Sequence, residues 1–377
     1  MFGEFIPSAA RDLGCNDAAC GMCIEGAPEI PRVARDKLTK QMPDIVVLGA
    51  GVVGCSVAYH LARRGCDVLV VDRATDFGFG STSKATGGYR AQFDTEVNVR
   101  LSLLSREKFR AFEEETGVDP GYAPHGYLFL ACDDDELHAL AGAQRVQHAC
   151  GLSEARMIDA KEARALNPRI GDASVIGGAF CPTDGFIRPM SVLRGYAEAA
   201  RRLGVRFAFN TAGDDVDAPI VVNAMGAWCG APVVPVRRNV VATVPTDVLP
   251  ESMPMTIWAG DWYHLRVRDG RVLLLWPDDP VIDDDAWLSE VIRKTRSRMP
   301  CLDDVPFGER WSGFYEMSPD EHALLGRVAE NRYVANGSSG HGVMHAPALG
   351  QLLSEIIVDG HASIDVSALD PLRFGVR

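Results

Sequence analysis

The sequence predicts an α/β fold, and three observations carry this prediction. An apolar run at residues 45–48 is followed at once by a glycine-rich turn and by apolar residues at helical spacing, the order in which a buried parallel strand leads into a helix. A strand followed by a glycine-containing turn recurs at residues 220–228 and 333–342. Between these two, residues 236–276 change to a β pattern, so we predict a doubly wound domain interleaved with a second, sheet-based domain.

The first glycine turn has the spacing of a dinucleotide-binding site. Gly49 permits a tight turn, Gly51 lets a pyrophosphate approach the backbone, and Gly54 lets the helix pack closely on the strand. Asp72 ends the second strand, at residues 68–71, and can accept hydrogen bonds from a ribose. The motif therefore predicts a dinucleotide but leaves NAD and FAD open. Its predicted contacts are Gly49, Ala50, Gly51, Val52, Val53, Gly54, Asp72 and Arg73.

The composition of the chain limits which binding partners and which cellular environment we expect. The 377 residues carry a formal net charge of −13, whereas nucleic acids and anionic membranes attract basic surfaces, so we expect neither as a main partner. The ten cysteines are scattered, and several fall in predicted helices or strands, which predicts reduced thiols in a cytoplasmic protein. We expect no signal peptide, because residues 1–20 lack a basic region followed by an apolar core. We also expect no membrane span, because the longest apolar run, 45–62, is the glycine motif itself and contains His60.

Residues 1–42 are expected to form a poorly ordered extension. Cys15, Cys20 and Cys23 match three of the four ligand positions of a plant-type [2Fe–2S] cluster. The next cysteine, Cys55, lies in the helix of the glycine motif, so the fourth ligand is missing and we expect no metal site.

A long loop of small residues, 77–90, follows Asp72. Its glycines and hydroxyls could lie against a flat ring system, and its length favours function over a simple connection. Arg90, at its end, could point at an anion; the alternative is a solvated loop with a surface arginine. The residues of this loop predicted to contact the cofactor are Ser81, Thr82, Ser83, Gly87 and Gly88.

The remaining elements follow from periodicity and turn residues. Helices are predicted at residues 95–116, 133–150, 159–166, 190–203, 286–299 and 346–358, the last beginning at Pro347. Strands are predicted at residues 126–131, 240–244, 263–267, 272–276 and 333–335, with Asp269-Gly270 as a hairpin turn. Residues 177–189 are expected to be turn-rich. The acidic run 133–135 is expected to cap a helix rather than to bind a metal.

Two later turns bring backbone close to a bound group. One contains Asn223, Ala224 and Gly226, directly after an apolar strand. The other, residues 336–342, precedes a helix, so Gly340, His341, Gly342 and Val343 are predicted to contact the cofactor. For His341, a role as an ordinary turn histidine and a role in contacting cofactor or substrate are equally open.

Three separated glycine turns are more than a plain NAD-binding domain needs. The segments 49–54, 221–228, 311–320 and 337–342 together resemble the D-amino acid oxidase and sarcosine/glycine oxidase family of FAD-dependent oxidoreductases. The resemblance covers roughly residues 43–372. It looks closest to the branch that contains sarcosine oxidase and the β-subunit of dye-linked proline dehydrogenase.

The resemblance implies a particular architecture. A Rossmann-like FAD-binding domain of discontinuous segments (43–120, 170–235 and 320–377) would be interleaved with an α+β substrate domain (121–169 and 236–319) whose antiparallel sheet covers the flavin. Gly340, His341 and Gly342 would then face the pyrimidine end of the flavin, where the helix dipole stabilises developing negative charge. The fold class is therefore α/β, and FAD rather than NAD is the expected cofactor.

Departures from the family pattern refine this expectation. Gly313 stands where sarcosine oxidases attach the flavin to a cysteine, so non-covalent FAD is expected. Met344 stands where they place a substrate-binding lysine, and no lysine occurs between residues 162 and 293, where they place the lysine that activates oxygen. A dehydrogenase is therefore favoured over an oxidase. Its electron acceptor is unknown, and a partner subunit is one candidate. The segment 205–221 is also shorter than in the family, where it forms part of the cover over the adenine side of FAD. Part of this cover is therefore expected to be missing.

The resemblance implies oxidation of a small amino acid or secondary amine of the sarcosine, proline or glycine type, by hydride transfer to flavin N5. Arg90 would fix the substrate carboxylate, with Arg266 as its main rival, and His341 would face the reacting groups. Tyr263, His264 and Tyr315 are candidates for the substrate wall. Two alternatives remain open: an FAD-dependent 2-hydroxy-acid dehydrogenase, and a non-catalytic flavoprotein subunit or assembly factor.

Overall fold

The computed structural model describes residues 42–375, except for 214–217, 231 and 279. The predictions for residues 1–41, including those for Cys15, Cys20 and Cys23, and for the acidic turn at 214–217 lie outside the described residues.

Sixteen strands and seven α-helices make up the described chain. The strands are β1 (Ile45–Leu48), β2 (Val68–Val71), β3 (Gly88–Tyr89), β4 (Tyr127–Ala131), β5 (Arg156–Asp159), β6 (Gly177–Cys181), β7 (Gly185–Phe186), β8 (Arg206–Ala208), β9 (Ile220–Asn223), β10 (Val234–Thr243), β11 (Met255–Trp258), β12 (His264–Arg268), β13 (Arg271–Leu275), β14 (Phe307–Met317), β15 (Leu324–Ala329) and β16 (Arg332–Asn336). The helices are α1 (Val52–Arg63), α2 (Glu96–Thr116), α3 (Asp134–Ala149), α4 (Ala160–Leu166), α5 (Pro189–Arg202), α6 (Asp284–Arg298) and α7 (Gly342–Val358).

The first sheet has the strand order β15-β16-β9-β1-β2-β8. The five strands from β16 to β8 are parallel, and only the edge strand β15 runs antiparallel. Both β1 and β2 are buried along nearly their whole length, which explains their continuous Val, Ile and Leu composition. The carboxyl ends of β16, β9, β1 and β2 therefore lie along one edge of the sheet.

Helices α1, α2, α5 and α7 form a layer on one face of this sheet. The two helices that follow glycine turns, α1 and α7, pack directly on each other. A Cβ atom added at Gly350 of α7 would lie 2.2 Å from the Ser56 hydroxyl of α1, so glycine is required for this close approach. The Ser56 hydroxyl also donates to the Ala346 carbonyl at 2.7 Å.

The second sheet has the order β14-β10-β13-β12-β11-β4-β6-β5 and is antiparallel except for the pair β11–β4. Its two faces have different neighbours, because side chains alternate along each strand. One face, which includes Leu265 and Val267 of β12, packs with α6 in a cluster around Trp287. His264 and Arg266 occupy the other face, toward loop 77–90. The predicted hairpin turn at Asp269 and Gly270 is confirmed, with φ values of 55° and 67°.

Two predicted elements differ from the structure. Residues 177–181 form strand β6, which pairs with β4 and β5 in the second sheet, so the predicted FAD segment 170–235 begins too early. The segment 177–189, predicted to be turn-rich, therefore contains strand β6, a short connection and strand β7. Its small residues are needed because a Cβ at Gly178 would lie 2.0 Å from the Phe129 carbonyl oxygen. The other domain boundaries stay predictions.

The last helix begins at Gly342, five residues before the predicted start at Pro347. A proline inside a helix removes one hydrogen bond and disturbs the backbone on either side of it. Here the Ser56 hydroxyl donates to the carbonyl of Ala346, and the amide of Ala348 donates to the Ser105 hydroxyl at 3.3 Å. Side chains from α1 and α2 thus bond the backbone beside the proline, which local sequence rules cannot anticipate.

No helix in the described ranges is long and apolar enough to cross a membrane. The acidic run at residues 133–135 caps α3, as predicted: the Asp133 carboxylate accepts a hydrogen bond from the Glu136 amide at 2.9 Å.

Candidate active site and cofactor cradle

The three predicted glycine turns meet at one edge of the parallel sheet. They follow β1, β9 and β16, which are adjacent, so the topology brings the carboxyl ends of the three strands together. A Cβ at Gly49, whose φ is 105°, would lie 2.4 Å from the Ala224 carbonyl oxygen. The amide of Gly226 donates to the Asn336 side-chain oxygen at 2.7 Å. This edge is where doubly wound proteins bind their ligands.

Two asparagines fix the second turn to the third. The Asn336 amide group donates to the Asn223 backbone oxygen at 2.9 Å and to its side-chain oxygen at 3.0 Å. The Asn223 amide group in turn donates to the Cys229 carbonyl at 3.0 Å. Asn223, predicted as a cofactor contact, therefore acts through its side chain on the shape of the turn, while the backbone of Ala224 and Gly226 faces the other turns.

The first turn has the shape that a pyrophosphate requires. A Cβ at Gly54 would lie only 1.9 Å from the Gly49 carbonyl oxygen, so the start of α1 packs directly on the turn. At Gly51, by contrast, a Cβ would meet only the Thr82 hydroxyl, at 3.6 Å, which leaves the space before the turn open. The amide of Val52 donates to that hydroxyl at 3.2 Å, and the amide of Val53 lies in the same first turn of α1.

Asp72 connects the first turn to the end of β2. Its carboxylate accepts hydrogen bonds from the Ala50 amide at 2.7 Å and from the Ala74 amide at 2.8 Å. A carboxylate has about four acceptor positions, so both bonds leave capacity for ribose hydroxyls. The neighbouring Arg73 has an exposed side chain.

Loop 77–90 crosses from the first sheet to the second. The Ser81 hydroxyl donates to the Phe314 carbonyl of β14 at 2.7 Å, whereas the exposed Ser83 bonds only within its own turn, to the Gly80 carbonyl at 3.3 Å. Gly87 has a φ of 81°, and Gly88 forms part of β3, where a Cβ would lie 2.0 Å from the Tyr127 hydroxyl. The loop therefore lies between the glycine turns and the second sheet, as the prediction of a functional loop requires.

Arg90 is a half-buried cation whose guanidinium has no carboxylate within ion-pair distance among the described residues. It donates to the Gln92 carbonyl and, at 3.3 Å, contacts Nε2 of His341. Its guanidinium carbon lies 3.7 Å from the ring centroid of Phe93 and 5.8 Å from that of Phe129. Burial lowers the pKa of Arg90, which expresses the cost of holding a charge away from water. Such a group is ready to bind an anion.

His341 lies against Arg90 and is neutral. Arginine can only donate, so Nε2 of His341 accepts and the proton of the neutral ring is on Nδ1. Burial first, and then the charge of Arg90, hold the pKa of His341 well below its usual value. The same causes lower the pKa of His345 to about 3 and also lower that of His264. The structure thus brings Arg90 and His341 together.

Asp184 holds the segment that carries Arg90. This fully buried carboxylate accepts hydrogen bonds from the amides of Ala91 at 2.8 Å and Gln92 at 3.3 Å, and from the Gln92 side chain at 3.3 Å. Burial raises the pKa of Asp184 to about 6 despite these bonds. Asp184 fixes the backbone on which Arg90 stands, and we describe it as a positioning residue.

The structure corrects the prediction for Tyr263. This residue is fully buried on the face of the second sheet that packs with α6, and its hydroxyl lies 2.8 Å from that of Thr295. It therefore belongs to the core and does not face the glycine turns. His264, the next residue, points the other way, and its Nδ1 lies 2.7 Å from the Trp262 carbonyl oxygen. The sequence placed both residues in the substrate wall because it did not assign the faces of the strand.

Arg266 lies on the correct face but already has partners. Its guanidinium donates to the carbonyls of Thr86 at 2.7 Å and Gly87 at 2.9 Å and stacks on Phe186 at 3.8 Å. Burial lowers its pKa to about 10. Arg266 therefore fastens loop 77–90 to the second sheet, which makes it a positioning residue rather than a rival to Arg90.

We expect Arg266→Met to weaken this fastening. Loss of two charge-assisted hydrogen bonds at a buried site should lower the melting temperature and reduce kcat/KM about tenfold for every substrate alike. Arg90→Met should instead discriminate against substrates that carry a carboxylate. Steady-state kinetics with amines that differ only in the carboxylate separate the two. If Arg266→Met affected only carboxylate-bearing substrates, Arg266 would be the anchor.

Strand β14 supplies the other wall of the site. A Cβ at Gly340, whose φ is 87°, would lie 2.4 Å from the ring of Tyr315, so glycine lets the third turn approach this ring. The neighbouring Glu316 accepts a hydrogen bond from the Ser338 amide at 3.2 Å and another from the Ser338 hydroxyl. Burial raises the pKa of Glu316. Gly342 borders the same carboxylate, since its Cβ would lie 3.5 Å from Oε1 of Glu316.

Sequence reasoning missed four residues of this site: Phe93, Asp184, Trp262 and Glu316. Phe93 and Trp262 flank Arg90, with ring centroids 3.7 and 6.0 Å from its guanidinium carbon. The only available signal was for Glu316, which lies within the family-like segment 311–320. Asp184 and Trp262 reach Arg90 or the residues next to it across long sequence separations, and Phe93, three residues after Arg90, belongs to no recognisable motif.

The comparisons with known proteins agree with this geometry. The profile of the family described as "DAO: FAD dependent oxidoreductase" matches residues 44–356, which include all three glycine turns and both sheets. The chain belongs to the FAD-dependent oxidoreductase family. The expected α/β fold and the resemblance read from the sequence are thereby confirmed.

Relatives within this oxidoreductase family have several activities. The chain is 26% identical to FAD-dependent oxidoreductase domain-containing protein 1 of Xenopus laevis, over 89% of this chain and 83% of the relative. It is 25% identical to mitochondrial dimethylglycine dehydrogenase of Homo sapiens, over 94% of this chain but only 47% of that longer protein. It is 23% identical to glycine oxidase of Bacillus licheniformis, over 84% of this chain and 93% of the relative.

Among solved structures, L-proline dehydrogenase from P. horikoshii is similar, with a TM-score of 0.82 and 29% identity over 89% of this chain and 98% of that one. Glycine oxidase from Geobacillus kaustophilus has a TM-score of 0.77 and 22% identity over 88% and 98%. The second likeness shows the fold alone.

The cradle described above fits the FAD that the family implies. The open space before Gly51, the N-terminus of α1 and the free acceptor positions of Asp72 suit the pyrophosphate and ribose of the ADP half. Loop 77–90 begins near the first turn, where Thr82 bonds Val52, and its end at Arg90 lies with Tyr315 and the third turn at the other end of the cradle.

Proposed function

We propose that this flavoprotein oxidises the C–N bond of a small amino acid or secondary amine that carries a carboxylate. The observation that carries the proposal is Arg90: a half-buried guanidinium that has aromatic rings and a neutral histidine around it but no described carboxylate partner. A charge that is partly withdrawn from water without an ionic partner is costly, and such groups concentrate at functional sites. The names of the relatives, which include glycine oxidase, dimethylglycine dehydrogenase and L-proline dehydrogenase, support an amine substrate.

Arg90 has the geometry to orient such a substrate. One of its terminal nitrogens donates to Gln92 and the other contacts His341, and each carries a further N–H for a carboxylate oxygen. Because His341 and His345 are neutral, no imidazolium at these two positions repels Arg90. The rings of Phe93 and Phe129 line the space beside the guanidinium.

FAD supplies the redox chemistry when it is bound, because its isoalloxazine ring accepts a hydride. The chain contributes orientation and electrostatics. The N-terminus of α7, whose first residue is Gly342, directs the positive end of a helix dipole toward the site. We propose that FAD is held without a covalent bond, since Gly313 offers no side chain for attachment.

We further propose that the protein is a dehydrogenase. Met344, at the position where the oxidases place a substrate-binding lysine, is buried, and its sulfur accepts the amide hydrogen bond of Arg90 at 3.5 Å. The second sheet contributes Arg266 and His264 to the face toward loop 77–90, and no lysine occurs between residues 162 and 293. The electron acceptor, which could be a partner subunit, is then something other than oxygen.

The test is anaerobic bleaching of the flavin band. We expect one or more of sarcosine, proline, hydroxyproline and glycine to bleach the FAD-loaded protein, because their carboxylate can bind Arg90. Lactate and glycolate, which are 2-hydroxy acids, serve as the comparison. Bleaching by the hydroxy acids alone would replace the proposal by the alternative dehydrogenase, and bleaching by none would remove catalysis of either kind.

The acceptor is tested with the best substrate of that panel. Turnover with an artificial dye should exceed oxygen consumption at least tenfold if the protein is a dehydrogenase. Equal rates with dye and with air-saturated buffer would contradict this part of the proposal.

The pH dependence follows from the lowered pKa values. His341 and His345 stay neutral between pH 6 and 8, because burial and the charge of Arg90 disfavour their charged forms. The amine of the substrate loses its proton as the pH rises, and the carboxyl group of Asp184, with a pKa of about 6, ionises at the lower end of this range. We therefore expect log kcat/KM to rise with pH without a histidine limb. His341→Asn should leave the shape of the profile unchanged. A limb near pH 6.5 that disappears in this variant would show a titrating His341.

A further inference from the structure

Trp262 has an unusual backbone conformation next to Arg90. Its φ is 59°, in the left-handed region, where a bulky aromatic residue is an outlier. Such strain persists only when surrounding structure imposes it, and it concentrates at functional sites. The ring is 38% exposed, so it is not held there by burial in a core.

The loop between β11 and β12 imposes this conformation. The Asp261 carboxylate accepts a hydrogen bond from Arg298 at 2.9 Å and one from Lys294 at 2.5 Å, both on α6. A Cβ at Gly260 would lie 2.0 Å from the Glu136 carboxylate of α3, so the loop is also packed against a second helix. The amide of Trp262 donates to the Trp258 carbonyl at 2.8 Å, which closes the loop.

The ring of Trp262 is thereby turned toward the substrate-facing side of the sheet. Its centroid is 6.0 Å from the guanidinium carbon of Arg90 and 6.1 Å from the ring of Phe129, in an edge-to-face contact at 85°. The Trp262 carbonyl also lies 2.7 Å from Nδ1 of His264, which fixes this histidine on the same side. Trp262 and Phe129 thus stand together beside the group that would hold the carboxylate.

We propose that Trp262 is a specificity-determining residue, whose ring limits the size of the group that can lie next to the substrate carboxylate. The inference rests on the proposed function and adds a substrate class: amino acids with no side chain or a small one. A larger side chain would need the space that the indole ring occupies. The rigid loop keeps the ring from moving aside.

The test compares Trp262→Phe and Trp262→Ala with the wild type on sarcosine, N-methylalanine, N-methylleucine and N-methylphenylalanine. The ratio of kcat/KM for N-methylphenylalanine to that for sarcosine should rise at least tenfold in Trp262→Ala and less in Trp262→Phe. An unchanged ratio in both variants would overturn the inference while leaving amine oxidation established.

A binding measurement separates this inference from the proposed function. By calorimetry on the FAD-loaded protein, phenylacetate should bind Trp262→Ala at least tenfold more tightly than wild type, with acetate changed less. This result would support the inference even if no amine bleached the flavin. Equal gains for acetate and phenylacetate would overturn it, because a size limit acts only on the larger ligand.

A separate pair of variants tests whether the loop imposes the positive φ of Trp262. Trp262→Gly should melt at a higher temperature than Trp262→Ala, because both lose the ring but only glycine adopts a positive φ without strain. Asn331, with a φ of 55° in the β15–β16 turn, gives the matched pair Asn331→Gly and Asn331→Ala away from the site. If glycine stabilised position 331 but not position 262, the loop would not impose the placement of Trp262.

Discussion

Gly54→Ala is expected to lower the affinity for FAD at least tenfold. The added Cβ would lie 1.9 Å from the Gly49 carbonyl oxygen, so either α1 or the first glycine turn must move. Overpacking of this kind typically costs about 1–3 kcal/mol, and each 1.4 kcal/mol is about a tenfold change in affinity. Because both parts of the turn contact the pyrophosphate in this fold, the displacement falls on the cofactor. Flavin content after purification and calorimetric titration of apoprotein with FAD measure the effect.

Matched glycine variants separate this effect from general loss of stability. Gly142→Ala, inside α3 with only Arg145 nearby at 3.8 Å, should be neutral or slightly stabilising because alanine favours helix. Gly49→Ala adds a Cβ 2.4 Å from the Ala224 carbonyl oxygen, whereas Gly65→Ala, with a similar positive φ of 84°, meets nothing within 4 Å. Only the variants at positions 49 and 54 should lose FAD. Full flavin content in Gly54→Ala would show that the first turn does not form the cofactor site.

Arg90→Met is expected to reduce kcat/KM for amino acid substrates about 30-fold or more and to act mainly on KM. Truncating one partner of a buried, hydrogen-bonded charge pair typically costs about 2–5 kcal/mol. Flavin content should stay unchanged, since the Arg90 side chain contacts the Gln92 carbonyl, aromatic rings and the ring of His341, not the backbone amides of the glycine turns. The melting temperature should not fall, because the variant removes a half-buried cation that has no described carboxylate partner.

Arg156→Met is the control for Arg90→Met. Arg156 forms an ion pair with Glu162 at the edge of the second sheet, with 43% of its side chain exposed, and exposed pairs contribute little to stability. Its kinetic constants should equal those of the wild type. If Arg90→Met kept the wild-type KM for every carboxylate-bearing amine, another residue would anchor the substrate.

The positions of the glycine turns could be predicted because their signal is local. A strand, a glycine at a fixed offset and a helix start lie within about fifteen residues of one another at Gly49–Gly54, and the parallel topology then brings the turns together. The same holds for Asp72, whose place follows from the end of β2. The choice of FAD over NAD as the expected cofactor needed all three glycine turns, because the first turn alone is compatible with either.

The substrate side was less predictable because its determinants are tertiary. Tyr263 and His264 are neighbours in sequence, but only the packing of α6 decides which face is the core. Arg266 and Arg90 cannot be told apart from the sequence, because the Thr86 and Gly87 carbonyls that bond Arg266 are about 180 residues away from it in the chain. The start of α7 was misplaced for a similar reason, since Ser56 and Ser105 support the backbone around Pro347.

One measurement tests the central claim most directly: the rate of anaerobic flavin bleaching by sarcosine compared with that by dimethylamine, which differs from sarcosine only in lacking the carboxylate, in the wild type and in Arg90→Met. We predict that the wild type prefers sarcosine by at least 30-fold and that the preference falls to within a few-fold in the variant. Equal bleaching of the wild type by both amines, or a preference that survives in Arg90→Met, would contradict the account.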